Sequence, residues 1–200
     1  MKIAIDLNDV VRDYTLNFAK YYATFYDKSY EISEDGFWTN DITVLFPFSS
    51  DRAYEKFAYE DYAYEIYGKC PTCGSKLTTE LNEWFEKTIK NIDIDEPIEV
   101  MFVSTMEYGL SIQCTLFFLS KIGSRIREYY FPTDSLSIWD KCDVLITANP
   151  RLLENKPENK VSIKINTDYN EENVADYTFS SLSTFLKKED NVIKLLKNGE

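Results

Sequence analysis

The sequence predicts an α/β protein with a sheet of five or more strands, mainly parallel, and a helical segment inserted after the first strand. Three observations carry this. From about residue 98 onward, short apolar runs alternate with helix-like patterns. The chain opens Lys2-Ile-Ala-Ile-Asp-Leu-Asn-Asp-Val-Val11, an apolar strand that runs into an acidic turn and then a helix. Between these parts, residues from about 15 to 92 have a different texture, aromatic and helical in spacing.

The elements follow in order. Ile3–Asp6 is the first strand. Tyr14 to Tyr26 is a helix rich in aromatics. Phe37 to Ser50, with Trp38, Phe46, Pro47 and Phe48, reads as a long apolar loop, either packed on the body or shaped for a partner. Asp51 to Tyr67 is dense in Tyr and acidic residues. Leu77, Leu81, Trp84, Phe85 and Ile89 fall on one helical face. Glu99–Thr105 reads as a buried strand, Ser111–Ile122 as a helix closed by Gly123, and Arg127–Phe131 as a strand stopped by Pro132. Asp143–Thr147 is a further strand, followed by Asn149-Pro150 and a short helix. Val161–Ile165 is the last strand. Ser181 to Leu196 is helical, with Leu182, Phe185, Leu186, Ile193 and Leu196 on its apolar face. Strands spaced by helices argue for a parallel sheet covered on both faces. The division expected is residues 1–14 plus 93–200 as the α/β body and 15–92 as a helical cap.

Composition narrows the function classes. Apolar residues make up 44% of the 200-residue chain, enough for a sizeable core. The 15 Tyr and 13 Phe suit interfaces as well as cores. A formal net charge of −12 repels phosphate backbones and anionic lipid, so neither nucleic acid nor a membrane surface is an expected partner. The absence of His removes the commonest general base and the His ligands of zinc. No secretory pattern is visible at the N-terminus, no apolar run is long enough to span a bilayer, and four Cys make no disulfide framework, so an intracellular, reducing setting is expected.

The acidic turn is the sharpest signal. A strand, an acidic turn, a helical insertion, a strand ending in Ser104-Thr105 and a later strand ending at Thr147 together resemble the haloacid dehalogenase (HAD) superfamily, nearest to its deoxyribonucleotidase-type phosphatases. The resemblance implies a Rossmann-like core. It also implies a first motif Asp-x-Asp-Gly, in which the first Asp attacks phosphorus and binds Mg²⁺ and the second serves as acid and base.

Here Asp6 matches the nucleophile, Asn8 stands at the acid/base position and Asp9 at the glycine. An amide cannot give up and regain a proton at useful pH, a loss worth about 10²–10⁴ in rate. Asp9 is one residue too far along, and its side chain is expected to point elsewhere. Ser104 matches the hydroxyl that holds a phosphate oxygen. No Lys stands near Asp134-Ser135, where the resemblance asks for one, and Lys141 is expected to face solvent. Thr147 and Ala148 stand where paired acids would hold Mg²⁺. The local alternatives remain: Asp6 as a turn-capping carboxylate and Ser104 as a helix cap.

The expected function is a catalytically inactive HAD-like protein acting as a structural or binding component through protein partners or self-association. Its texture is similar to degenerate HAD-like proteins of tailed bacteriophages, which implies a virion or assembly role. Two alternatives stand beside this: a weak Mg²⁺-dependent phosphohydrolase on nucleotides or small phosphate esters, and a non-catalytic phosphate-binding module. No cofactor is expected, with Mg²⁺ entering only under the hydrolase alternative. Cys70-Pro-Thr-Cys73-Gly resembles half of a zinc ribbon, but Cys114 and Cys142 form no second knuckle, so zinc at Cys70 and Cys73 is not expected.

Overall fold

The computed structural model describes residues 1–34, 36–90, 97–105 and 107–188. The strands are β1 (Lys2–Asp6), β2 (Glu99–Val103), β3 (Glu128–Tyr130), β4 (Val144–Thr147), β5 (Val161–Ile165) and β6 (Tyr177–Phe179). They form one sheet in the order β3-β2-β1-β4-β5-β6, and every pairing is parallel. β1 sits in the middle, with Asp6 beside Val103 of β2 and Ile5 beside Ile146 of β4. Its carboxyl end therefore opens at the centre of the sheet edge, between loops from β2 and β4, where open parallel sheets place their ligand crevices.

The sheet has six strands. The strand absent from the sequence reading is β6, a three-residue edge strand whose residues are all at least partly exposed. Both faces are covered, as a parallel sheet requires. On one face Ile3, Ile5, Phe102, Ile146 and Ile163 pack with Leu81 and Trp84 of α4 (Leu77–Lys90), Phe118 and Leu119 of α5 (Ser111–Lys121), and Leu182 and Phe185 of the C-terminal helix. On the other, Ala4, Val103 and Leu145 pack with Ile138 and Trp139 of a 3₁₀ turn (Ser135–Asp140) and Leu152 of α6 (Pro150–Glu154). The C-terminal helix is described over 182–188. The part of that expectation bearing Ile193 and Leu196, and the start expected for the body at 93, lie outside the described residues.

The inserted region holds a second, aromatic core. α1 (Tyr14–Phe25) supplies Tyr14, Phe18 and Tyr22, which pack with Phe46, Phe57 and Tyr67. The expected apolar loop contains a short helix, α2 (Ile42–Leu45), started by Asp41, whose carboxylate accepts from Thr43 N. That helix turns Phe46 fully inward against Phe18 at 5.1 Å and Tyr22 at 5.3 Å, while Trp38 stays 72% exposed. After α3 (Asp51–Glu55) come two π-helical segments, Lys56–Asp61 and Tyr64–Gly68. Asn17 of α1 donates to the carbonyls of Glu65 and Ile66, which ties this region to α1. The aromatic core ends at Tyr67; α4, though part of the same stretch of sequence, buries its apolar face on the sheet.

Candidate functional site

Asp6 ends β1 with 2% of its surface exposed. Its Oδ2 accepts from Thr147 Oγ1 at 2.7 Å, and Thr147 Oγ1 accepts in turn from Asn149 N at 3.0 Å. Its Oδ1 is buried and, among the described residues, meets no donor at full hydrogen-bond geometry. Burial pushes the Asp6 carboxyl up to about 7, against the Thr147 hydroxyl and the backbone at Asn8 and Leu7, which favour the charged form.

Asn8 is turned away from proton transfer. Its Oδ1 accepts from Arg12 Nε at 2.8 Å, leaving Nδ2 buried and, among the described residues, without a partner. Arg12 is itself fully buried. Its Nη1 donates to Thr115 Oγ1 at 2.7 Å and its Nη2 to Glu107 Oε1 at 2.5 Å. The rings of Tyr67 and Phe118 lie 5.1 and 5.9 Å from the guanidinium carbon. Arg12 therefore fixes the Asn8 amide from behind, joining the first turn to the loop after β2 and to α5. Nothing in the sequence marks this Arg as buried, because most arginines are solvated.

Asp9 corrects an expectation. Its φ of +57° is the left-handed conformation that a glycine would take, kept here by a different residue. Its carboxylate does not point away: it lines the same pocket as Asp6. Both its oxygens are engaged, Oδ1 by Thr15 N at 2.9 Å and Oδ2 by Thr15 Oγ1 and by Tyr169 OH at 2.9 Å. Asp9 thus caps α1, while Asp13 at the formal cap position makes no side-chain capping bond. Burial raises the Asp9 carboxyl above its ordinary value against those donors.

Ser104 is fully buried, and among the described residues its Oγ has no partner. The pocket beside Asp6 is walled by Thr105 instead. Asp134 caps the 3₁₀ turn by accepting from Leu136 N, and Lys141 is exposed, its Nζ 5.8 Å from the centre of the Tyr130 ring. The buried cation nearest in sequence to the β4 edge is Lys164, which escaped the sequence reading. Its Nζ donates to the carbonyls of Asn170, Glu171 and Asn173, so its charge is spent on backbone.

The cysteine knuckle supports the turn. Asp13 N donates to Pro71 O at 2.9 Å and Cys73 N to Val11 O at 3.0 Å. Cys70 is buried with its thiol donating to Asp13 O, and burial pushes that thiol up to about 12. Cys73 is exposed. Among the described residues no group of three or more His, Cys, Asp or Glu side chains is placed to hold a metal.

The pocket lined by Asp6, Asn8, Asp9, Asn40, Thr105 and Asn149 offers about 20 Å³ to water-sized groups, room for one or two. Tyr14, Thr15 and Tyr169 complete its wall. A larger open groove of about 300 Å³ shares Asp9, Thr15 and Tyr169 and adds Asp13, Phe37, Cys73 and Asp168. The cap loop closes over this region at Gly36. Its φ is +83°, and a Cβ there would fall inside the Asp168 carboxylate.

Mg²⁺ prefers an octahedron of hard oxygens with one or two carboxylates. Here one Asp6 oxygen is free, both Asp9 oxygens take donors, and Thr147 gives its proton to Asp6. This donor set does not fit the ion.

No family profile and no curated protein matches the chain. Over 96% of this chain and 97% of the other, the structure is similar to the crystal structure of a haloacid dehalogenase-like hydrolase from Burkholderia xenovorans LB400, with a TM-score of 0.58 and 9% sequence identity. At that identity the likeness speaks for the fold alone. The architecture is α/β and Rossmann-like, a fold shared with that hydrolase.

Proposed function

We propose that this chain is a catalytically inactive HAD-like protein that works as a binding or structural component. The observation that carries the reading is the Arg12–Asn8 bond at 2.8 Å. It commits the acid/base position to an amide held by a buried cation, so the residue at that position has no proton to exchange. Electrostatics support it. The pocket and groove carry Asp6, Asp9, Asp13 and Asp168 and, among the described residues, are lined by no Lys or Arg, so a phosphate ester would meet repulsion without the charge stabilisation that phosphoryl transfer needs. The working surface in this reading is the aromatic cap, where Trp38 is 72% exposed. The narrower form, a component of a phage virion or its assembly, rests on resemblance of texture.

The test is turnover of nucleoside monophosphates and an aryl phosphate with Mg²⁺, wild type against Asp6→Asn. Equal background rates are expected. Metal-dependent turnover lost in Asp6→Asn would reject the reading in favour of a phosphohydrolase.

A further inference from the structure

The helix α5 breaks the pattern of a surface helix. Its inner side is committed to the body. Thr115 accepts from Arg12 Nη1 at 2.7 Å, and Phe118 and Leu119 enter the sheet core. A helix on a folded surface ordinarily turns charge toward water on its other side. Here the exposed positions are Gln113, Leu116, Phe117 and Ser120, followed by Lys121 at the last position, and the helix holds no Asp or Glu. Leu116 is 40% and Phe117 45% exposed, and Leu110, just before the helix, is 53% exposed. A helix that is apolar on nearly every side is built to be covered on nearly every side.

The apolar face continues beyond the helix. Tyr64, itself exposed, packs its ring against Phe117 at 5.2 Å. Gly68 permits that approach, since a Cβ there would lie 2.9 Å from the Tyr64 ring and 3.4 Å from Cys114 O. Tyr108 adds an exposed ring near the start of α5, 5.6 Å from Tyr59. The rim is electrically neutral. From residue 52 to residue 69 the chain carries Glu55, Glu60, Asp61 and Glu65 against Arg52, Lys56 and Lys69, and Lys121 of α5 evens the count. Most of these charges are paired: Arg52 with Glu60 at 2.7 Å, Lys56 with Asp61 at 2.5 Å, and Lys69 with Glu65 at 3.9 Å. The whole chain stands at −12. A cationic partner is drawn to the acidic surface elsewhere and finds nothing special here. This neutral face is instead where two copies of so acidic a chain can meet without placing like charges in contact.

We propose that this chain forms an isologous dimer through α5, with Leu116, Phe117 and Tyr64 of each copy packed on the same face of the other across a two-fold axis. The occupant of the face is a second copy, and the contact is aromatic and aliphatic rather than ionic. The dimer goes beyond the reading of the Asp6 turn and does not depend on it, because none of these residues lines the pocket or the groove.

The experiment is sedimentation velocity on the full chain from about 1 to 100 µM, at NaCl raised from about 20 to 300 mM. A dimer is expected, about threefold or more tighter at the higher salt, because screening weakens the repulsion between two like-charged chains and leaves apolar contact intact. Phe117→Glu sets two carboxylates into the apolar contact and is expected to weaken the dimer about tenfold or more. Leu110→Glu, outside the helix, should do the same and replaces Phe117→Glu if circular dichroism shows that variant unfolded. Val174→Glu, on a residue 86% exposed between β5 and β6, at the end of the sheet opposite β3, is expected to keep the wild-type constant. A monomer throughout the range would overturn the inference. So would a dimer that weakens as salt rises, or one that Phe117→Glu and Leu110→Glu leave unmoved while folded.

Discussion

Arg12 and Glu107 form a fully buried ion pair, Nη2 to Oε1 at 2.5 Å, between the first turn and the loop after β2. Burial would lower the Arg12 pKa, yet its net direction is upward, because Glu107, with lesser help from Cys70 and Tyr67, favours the charged form. Removing one partner leaves the other charge buried and alone. Arg12→Met or Glu107→Gln is expected to cost about 3–5 kcal/mol in urea unfolding, and the Arg12→Met/Glu107→Leu pair clearly less than the two singles combined. Single variants within about 1 kcal/mol of wild type would show that the pair carries little of the local structure.

Asp6 sets a pH dependence of unusual sign. Its folded pKa, about 7, lies above the ordinary carboxylate value, so the folded chain holds a proton that the unfolded chain releases. The associated stability is present in full below about pH 4, falls as pH rises toward 7, and is absent above. Asp6→Asn mimics the protonated form and lacks this slope. The variant should match wild type near pH 4 and exceed it by on the order of a few kcal/mol at pH 7.5. A stability difference independent of pH between 4 and 7.5 would contradict the assignment.

Asp9 combines a left-handed backbone with a helix-capping carboxylate. Asn keeps both features, Gly keeps only the backbone, and Ala keeps neither. Stability should therefore fall in the order Asp9→Asn, Asp9→Gly, Asp9→Ala, with Ala about 2–3 kcal/mol below Asn. Thermal melts of the three variants test the order, and Ala equal to Asn would refute it.

The cap separates packing from display within a few residues. Phe46→Ala removes a ring with no exposure and should cost about 3–5 kcal/mol. Trp38→Ala removes a ring that is 72% exposed and should stay within about 0.5 kcal/mol, while lowering capture of any partner bound through the cap. Equal costs for the two would mean that the loop is not divided in this way.

The body was legible because buried parallel strands leave continuous apolar runs. Ile3–Asp6, Val100–Val103, Val144–Thr147 and Val161–Ile165 could all be read directly, as could α5 with its closing glycine. β6 left no such run, because an edge strand of three partly exposed residues needs none. The π-helical segments were not legible, since their hydrogen-bond register leaves no periodic mark of its own in the sequence. At the candidate site, Asp6, Asn8 and Thr147 were singled out from their order along the chain, and the structure brings Thr147 onto Asp6 and Asn8 into the same pocket wall. The Arg12–Glu107 pair was not, because pairing across most of a hundred residues is decided by topology. Asp9 was misplaced because counting along the turn ignores a positive φ, which swings the side chain back to the pocket.

The place of β1 in the middle of the sheet also governs how the chain can fold during synthesis. Lys2 must wait for Glu99, and Ile3 for Val144, before either edge of the strand is hydrogen-bonded. At about 5–20 residues per second, the second neighbour emerges on the order of ten seconds after the first residues. Until residue 99 emerges Ile3-Ala-Ile5 is an apolar strand with both edges open, and one edge stays open until residue 144, while the aromatic cap, whose partners lie closer in sequence, can already collapse. Ribosome-bound chains should accordingly acquire protease resistance in the cap first, and the N-terminal strand should be the segment most in need of a chaperone.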